Sequence, residues 1–156
     1  EAMHTGHSVY ATVHADSLNE TVRRLVNPPI DVPKNLMSAV NLNIVMFRDR
    51  RSGRRRIIQT GEFIVSDKGD IRTNLMYRWD PITDKITAHS KSVRLYEDLS
   101  RFTGFNENEI VKDIAEKTKI LEYLVKNKIR DIESVGKILR EYYLDKDSVI
   151  KMVKGK

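Results

Sequence analysis

A strand-like alternation that runs directly into a helix signal opens the chain and restricts what it can fold into. In the stretch from Ala2 to Ser17, AMHTGHSVYATVHADS, Val9, Ala11 and Val13 alternate with Tyr10, Thr12 and His14, the two-residue period of a β-strand. Thr5-Gly6-His7 leads into this strand and His14 stands at its far end. Ser17 is followed three residues later by Glu20; Ser-x-x-Glu is a capping-box pattern, so a helix is expected to begin there. A polar strand end that meets a helix start is a common ligand position in α/β proteins.

The following segments alternate between short elements and strong turn chemistry. Ser17 to Val26 reads as a helix with Leu18, Val22 and Leu25 on one face. Asn27-Pro28-Pro29 ends it, because proline cannot continue a helix. Pro33 suits the first turn of a second short helix over Asn35 to Ala39. Asn41 to Phe47 reads as a strand with apolar residues on both faces, which predicts burial on both sides. Arg56 to Val65, Ile71 to Trp79 and Lys85 to His89 are further strands separated by Gly- and Asp-rich turns, the spacing of an antiparallel meander.

Helical periodicity takes over from about Ser92. Asn106-x-x-Glu109 is a second capping box, followed by Ile110, Ile114, Leu121, Leu124 and Val125 as one expected face. Asp131 starts another helix with Ile132, Val135, Ile138, Leu139 and Tyr142 expected inward, and a last amphipathic piece carries Val149, Ile150 and Val153. The order is therefore mixed α/β, then a β meander, then an all-helical tail. A boundary near Arg101 to Asn106 divides an expected first domain, 1–103, from a helical subdomain, 104–156.

Composition narrows the function classes. The chain has 156 residues and 40% hydrophobic content, enough for one ordinary domain or slightly more. No apolar run approaches the ~20 residues of a membrane-spanning helix. With no cysteine, disulfides and thiolate metal sites are excluded, and a reducing compartment fits. The net charge of +6 is concentrated in RDRRSGRRR, where Arg48, Arg50, Arg51, Arg54, Arg55 and Arg56 are tempered by Asp49. Ser52-Gly53 at its centre is turn chemistry, which makes the run the tip of a hairpin.

Four chemistries compete for these residues. His4, His7 and His14 invite a metal site, but Gly6 interrupts the helical His-x-x-His geometry and no carboxylate or cysteine supports it; a polar cluster at a strand end is the better reading. A neutral imidazole there could position water or contact a phosphate oxygen. The phosphate-loop pattern G-x-x-x-x-G-K-[ST] is absent, since Gly136-Lys137 lies in a helical pattern and Gly155-Lys156 ends the sequence. The arginine hairpin could track a nucleic-acid backbone, but no aromatic residue is interleaved for base stacking. A solvated hairpin, or a surface for an acidic neighbouring subunit, is preferred. Arg23 and Arg24, early in the first helix, could pair with a phosphate or carboxylate, or simply lie on its solvent face.

Met3-His4-Thr5-Gly6-His7 followed by Ala11-Thr12-Val13-His14-Ala15-Asp16-Ser17 resembles the histidine box of the secretion-system ATPases. These are the P-loop motors of type II and type IV secretion, type IV pili and archaeal flagella. The resemblance continues through Arg24-Leu25 and Pro28-Pro29-Ile30-Asp31-Val32-Pro33, the arginine hairpin closing on Arg56-Ile57-Ile58, and Tyr77-Arg78-Trp79-Asp80-Pro81, which are similar to the archaeal branch. It covers residues 1 to about 100; the helical tail is similar by order of elements rather than by motif.

The resemblance implies the C-terminal portion of a RecA-like core, with both Walker motifs and the catalytic glutamate upstream of Glu1. In the intact protein it implies ATP and Mg2+ as cofactors, a homo-hexamer, a platform component in the membrane as partner, and a peripheral place at the cytoplasmic face. It implies that Thr5, Gly6, His7 and His14 form a nucleotide-sensing box, with His14, Arg23 and Arg24 nearest the nucleotide. The chain alone is expected to bind no nucleotide and to be inactive. The rival expectation, from another class, is a basic nucleic-acid-binding module built on the Arg48–Arg56 hairpin.

Overall fold

The computed structural model describes residues 7–155, and Thr5, Gly6 and the histidine at position 4 lie outside the described residues. The fold is mixed α/β: a four-stranded antiparallel sheet with helices. The chain divides into two compact units at the Glu97/Asp98 junction.

In the first unit, α1 (Leu18–Val26) and a 3-10 helix (Lys34–Ala39) precede β1 (Asn43–Arg48), β2 (Arg55–Val65), β3 (Ile71–Asp80) and β4 (Lys85–Ala88). The strands pair in sequence order, β1-β2-β3-β4. Two irregularities of register bend this meander, one at Val45/Met46 of β1 and one at Thr60/Gly61 of β2. Leu18, Met37, Val45, Phe63 and Met76 form its buried apolar set.

Gly61 shows why a side chain is missing at the second irregularity. A Cβ there would lie 2.4 Å from Leu18 Cδ1 and 2.5 Å from the Asn74 carbonyl oxygen. The absent side chain lets α1 approach the sheet, and Leu18 fills the space.

Glu62, beside it, is only 1% exposed, which is costly for a carboxylate unless it is fully hydrogen-bonded. It accepts bonds from Asn74 Nδ2, Ser92 Oγ and the Val93 N–H, each at 2.7 Å. Burial pushes its pKa up, but these donors outweigh burial and hold it below the ordinary 4.5. Glu62 thereby anchors the start of α2 (Arg94–Thr103) to β2. The Arg94 guanidinium adds to the anchor by donating to the carbonyls of Val40 and Ser38.

The second unit contains α3 (Glu107–Lys126), α4 (Ile132–Leu144) and α5 (Lys146–Lys154). Each helix is started by its own side-chain cap. Asn106 and Glu109 make a reciprocal capping box, Asp131 accepts from the Ser134 N–H, and Asp145 accepts from the Ser148 N–H. Ile120, Tyr142 and Val149 form the core, with Ile138, Ile150, Met152 and Val153 packed on it.

Several expectations are corrected. Val9 to Val13 has no regular secondary structure, and among the described residues no strand pairs with it. β1 is not buried on both faces: Val45 is buried, whereas Ile44, Met46 and Phe47 are exposed, as befits a strand at the sheet edge. On α4, Tyr142 is buried but Ile132 and Leu139 are exposed. On α3, Ile110, Ile120 and Leu124 face inward, while Ile114, Leu121 and Val125 remain exposed. The apolar residues of α3 thus fall on two stripes rather than one.

Candidate functional site

The segment before α1 is held by the helix that follows it. Ser17 is the N-cap, with extended backbone, and its Oγ accepts from the Glu20 N–H at 3.1 Å. The Glu20 carboxylate reaches back to the Asp16 N–H at 2.7 Å, so the reciprocal bond falls one residue earlier than in a standard capping box. The Asp16 N–H, then Arg24, lower the pKa of Glu20. A contact distant in sequence fixes the same turn to the sheet: the Leu18 N–H donates to Gln59 Oε1 at 3.0 Å. Gln59 therefore caps α1 from β2.

His14 precedes this anchored turn and is exposed. Together with Asp16, Glu20 and Arg24 it lines a groove of about 1040 Å³, whose other wall includes Met37, Ile44 and Met46. The groove combines an imidazole and three carboxylates, Asp16, Glu20 and Asp31, with an apolar wall. Arg24 is already engaged by Glu20, Nε to Oε1 at 2.9 Å, whereas Arg23 makes no ion pair among the described residues and acts on the Glu20 carboxylate through its charge. Arg23 does not line the groove, and neither does His7, which is also exposed. Of these four residues, His14 and Arg24 line the groove and His7 and Arg23 do not. His89 is exposed at the end of β4.

The arginine run is the β1–β2 hairpin tip, as its sequence predicts. Asp49 organises the tip. Its N–H donates to the Arg54 carbonyl, while its carboxylate accepts from the Arg51 N–H at 2.9 Å and Ser52 Oγ at 2.5 Å. Ser52 first, then Arg51, hold the Asp49 pKa low. Gly53 takes a left-handed φ of 70°, which a side chain would oppose. Arg48, Arg50, Arg51, Arg54 and Arg55 are all exposed, and among the described residues none of them makes an ion pair.

Arg56 differs from the rest of the run. It forms a two-point pair with Asp84, Nε to Oδ1 at 2.7 Å and Nη2 to Oδ2 at 2.6 Å. The Trp79 indole N–H adds a third bond to Asp84 at 2.8 Å. Arg56 first, then Trp79, hold the Asp84 carboxyl well below the usual carboxylate range. Trp79 stacks with Phe47, ring centroids 6.3 Å apart. Reasoning from the sequence missed Asp84. An antiparallel meander brings its alternate turns to the same end, so the Asp-rich turn after β3 was the available signal for a partner to the arginine tip.

No protein-family model matches the chain. The chain is similar to three Methanocaldococcus jannaschii proteins that carry only the names uncharacterized protein MJ0781, MJ0900 and MJ1287. Identity is 28% over 148 residues, 28% over 152 residues and 30% over 149 residues. Each match covers 92% of this chain but only 20%, 27% and 55% of the respective relative. The chain therefore spans about a fifth to about half of the length of the curated relatives it matches. No helix among the described residues is long and apolar enough to cross a membrane.

Proposed function

We propose that this chain is the C-terminal part of a RecA-like P-loop ATPase that powers protein secretion or the assembly of a pilus or archaeal flagellum. In this reading the intact protein is a homo-hexamer held peripherally at the cytoplasmic face of a membrane by a platform component. The observation that carries the reading is the histidine-box segment itself. Its described part leads into α1, is anchored there by Gln59 and Glu20, and sets His14 on the wall of a groove. The greater length of the relatives is in keeping with further chain that could supply a nucleotide site.

The residues of this chain do not by themselves fit Mg2+ and ATP. No phosphate loop is present in the sequence, and Arg24 is already engaged by Glu20. Their part is sensing. An imidazole at the groove wall can hydrogen-bond a phosphate oxygen or a carboxylate presented by the other half of the ATPase. When that partner leaves, the bond that favoured one arrangement is lost. The exposed arginines of the β1–β2 tip suit an acidic surface on a neighbouring subunit.

The test is ATP turnover with and without a phosphate-loop half. The 156-residue chain alone is expected to release no phosphate, and a longer protein that carries G-x-x-x-x-G-K-[ST] upstream is expected to hydrolyse ATP. Turnover by the chain alone contradicts the reading, as does a longer natural protein without that motif.

A second reading has one specific observation in its favour. The fold places stacked Phe47 and Trp79 beside the arginine tip, which supplies the aromatic surface that the run itself lacks. A salt-dependent shift of single-stranded DNA or RNA, abolished by R54E/R55E, would favour a nucleic-acid module over the motor.

A further inference from the structure

The two turns at one end of the meander are tied together. The β1–β2 tip and the β3–β4 turn are joined by the Arg56–Asp84 pair at 2.7 and 2.6 Å and by the Phe47–Trp79 stack. Ile82 stands in the β3–β4 turn and is 93% exposed. Its N–H donates to Asp80 Oδ1 at 2.9 Å, and Thr83 Oγ1 donates to Asp80 Oδ2 at 2.7 Å. The turn is thus fixed by its own bonds with an aliphatic side chain standing in solvent. Behind it, Ile86 lies opposite Trp79 in the β3–β4 register. Ile86 is 55% exposed and Phe47 43%.

The charge of this end is one-sided. Its three acids hold the turns: Asp49 accepts from the Arg51 N–H and Ser52, Asp80 from the Ile82 N–H and Thr83, and Asp84 from Arg56 and Trp79. Arg48, Arg50, Arg51, Arg54 and Arg55 are exposed, and so is Lys85. Arg54 acts on Asp49 and Asp84 through its charge alone. The β2–β3 turn at the opposite end carries Asp67, Lys68 and Asp70 and has no such excess. Five outward guanidiniums fit any polyanion, whether nucleic acid, acidic protein or anionic lipid headgroups. The isoleucine separates these partners. An aliphatic side chain is no platform for bases, whereas a bilayer offers it an apolar layer just beneath the headgroup phosphates. Trp79, with its indole N–H bonded to Asp84, is an amphipathic ring of the kind that suits that boundary.

We propose that this end of the sheet unit docks directly on an anionic lipid bilayer. The five arginines bind headgroup phosphates, Ile82 enters the acyl boundary, and Trp79 follows at the level of the headgroups. Direct lipid contact rests on the peripheral-membrane part of the reading above and not on ATP hydrolysis, so vesicle binding and turnover can fail separately.

Co-sedimentation of the full chain with two kinds of vesicle tests it: phosphatidylcholine alone, and phosphatidylcholine mixed with phosphatidylglycerol. The mixed vesicles are expected to bind about tenfold more tightly or better at low salt, with the gap narrowing as salt is raised. Brominated acyl chains are expected to quench Trp79, the single tryptophan. R54E/R55E is expected to weaken mixed-vesicle binding by about tenfold or more. Ile82→Ser keeps every charge and alters only an exposed turn position. It is expected to weaken mixed-vesicle binding by about threefold or more. Equal binding of both vesicles, binding of neither, bound chain that brominated lipid does not quench, or undiminished mixed-vesicle binding by Ile82→Ser would each overturn the proposal. Binding of single-stranded DNA without binding of vesicles would overturn it in favour of a nucleic acid.

Discussion

The sheet unit and the helical unit are held together in opposite ways. In the sheet unit the decisive bonds join residues far apart in sequence: Glu62 to Val93 across 31 positions, and Asn19 to Thr73 and Arg94 to Val40 across 54. In the helical unit the bonds that define each element reach three residues, as at Asn106–Glu109, Asp131–Ser134 and Asp145–Ser148. The difference teaches where damage spreads. Losing a bond in the sheet unit releases several elements, whereas losing a cap releases one helical turn.

The largest effect is expected at Glu62. Glu62→Ala leaves the Asn74, Ser92 and Val93 donors without their acceptor, at a cost of about 3–5 kcal/mol. Amide exchange should rise across β2, β3 and the start of α2 together; a rise confined to β2 would break the contrast. The same group sets an acid dependence. Its folded pKa is lowered, so its contribution is complete above the ordinary value of 4.5 and fades as the pH falls below it. Glu62→Gln should flatten that part of a stability–pH curve.

Gly61→Ala comes next. The added methyl meets both Leu18 and the Asn74 carbonyl, and about 2 kcal/mol of stability should be lost in urea unfolding. Adding Leu18→Ala should recover little, because the clash with backbone remains. In the helical unit, Asn106→Ala should cost about 1 kcal/mol. Exchange should accelerate only at the first turn of α3, and wider loss would show that helices there are not locally defined. The smallest effect is expected for Asp84→Asn, where the carboxylate is exposed. The emission of Trp79, the single tryptophan, should shift as its carboxylate acceptor is lost, with little change in the unfolding midpoint.

The same contrast governs what the sequence discloses. The caps at Ser17, Asn106 and Asp131 were legible because capping is written within four residues. The meander and its arginine tip were legible from turn chemistry. Burial was not: Ile44, Met46 and Phe47 looked like a fully buried strand, yet β1 lies at the sheet edge and only Val45 is covered. The alternation from Val9 to Val13 predicted a strand, but a strand also needs a neighbour. At the candidate site, His14 and Arg24 could be read from the sequence. Gln59, which fixes α1, and Asp84, which neutralises Arg56, are 41 and 28 residues from their partners, and no local pattern marks them.

The proposed sensing role of His14 concerns a nucleotide held elsewhere in a larger ATPase. It is tested most directly by measuring turnover and nucleotide affinity together in the phosphate-loop-containing protein carrying His14→Ala. The account predicts that ATP hydrolysis falls about tenfold or more while the nucleotide dissociation constant stays within about twofold. Unchanged turnover with unchanged coupling to the motor's work would contradict it.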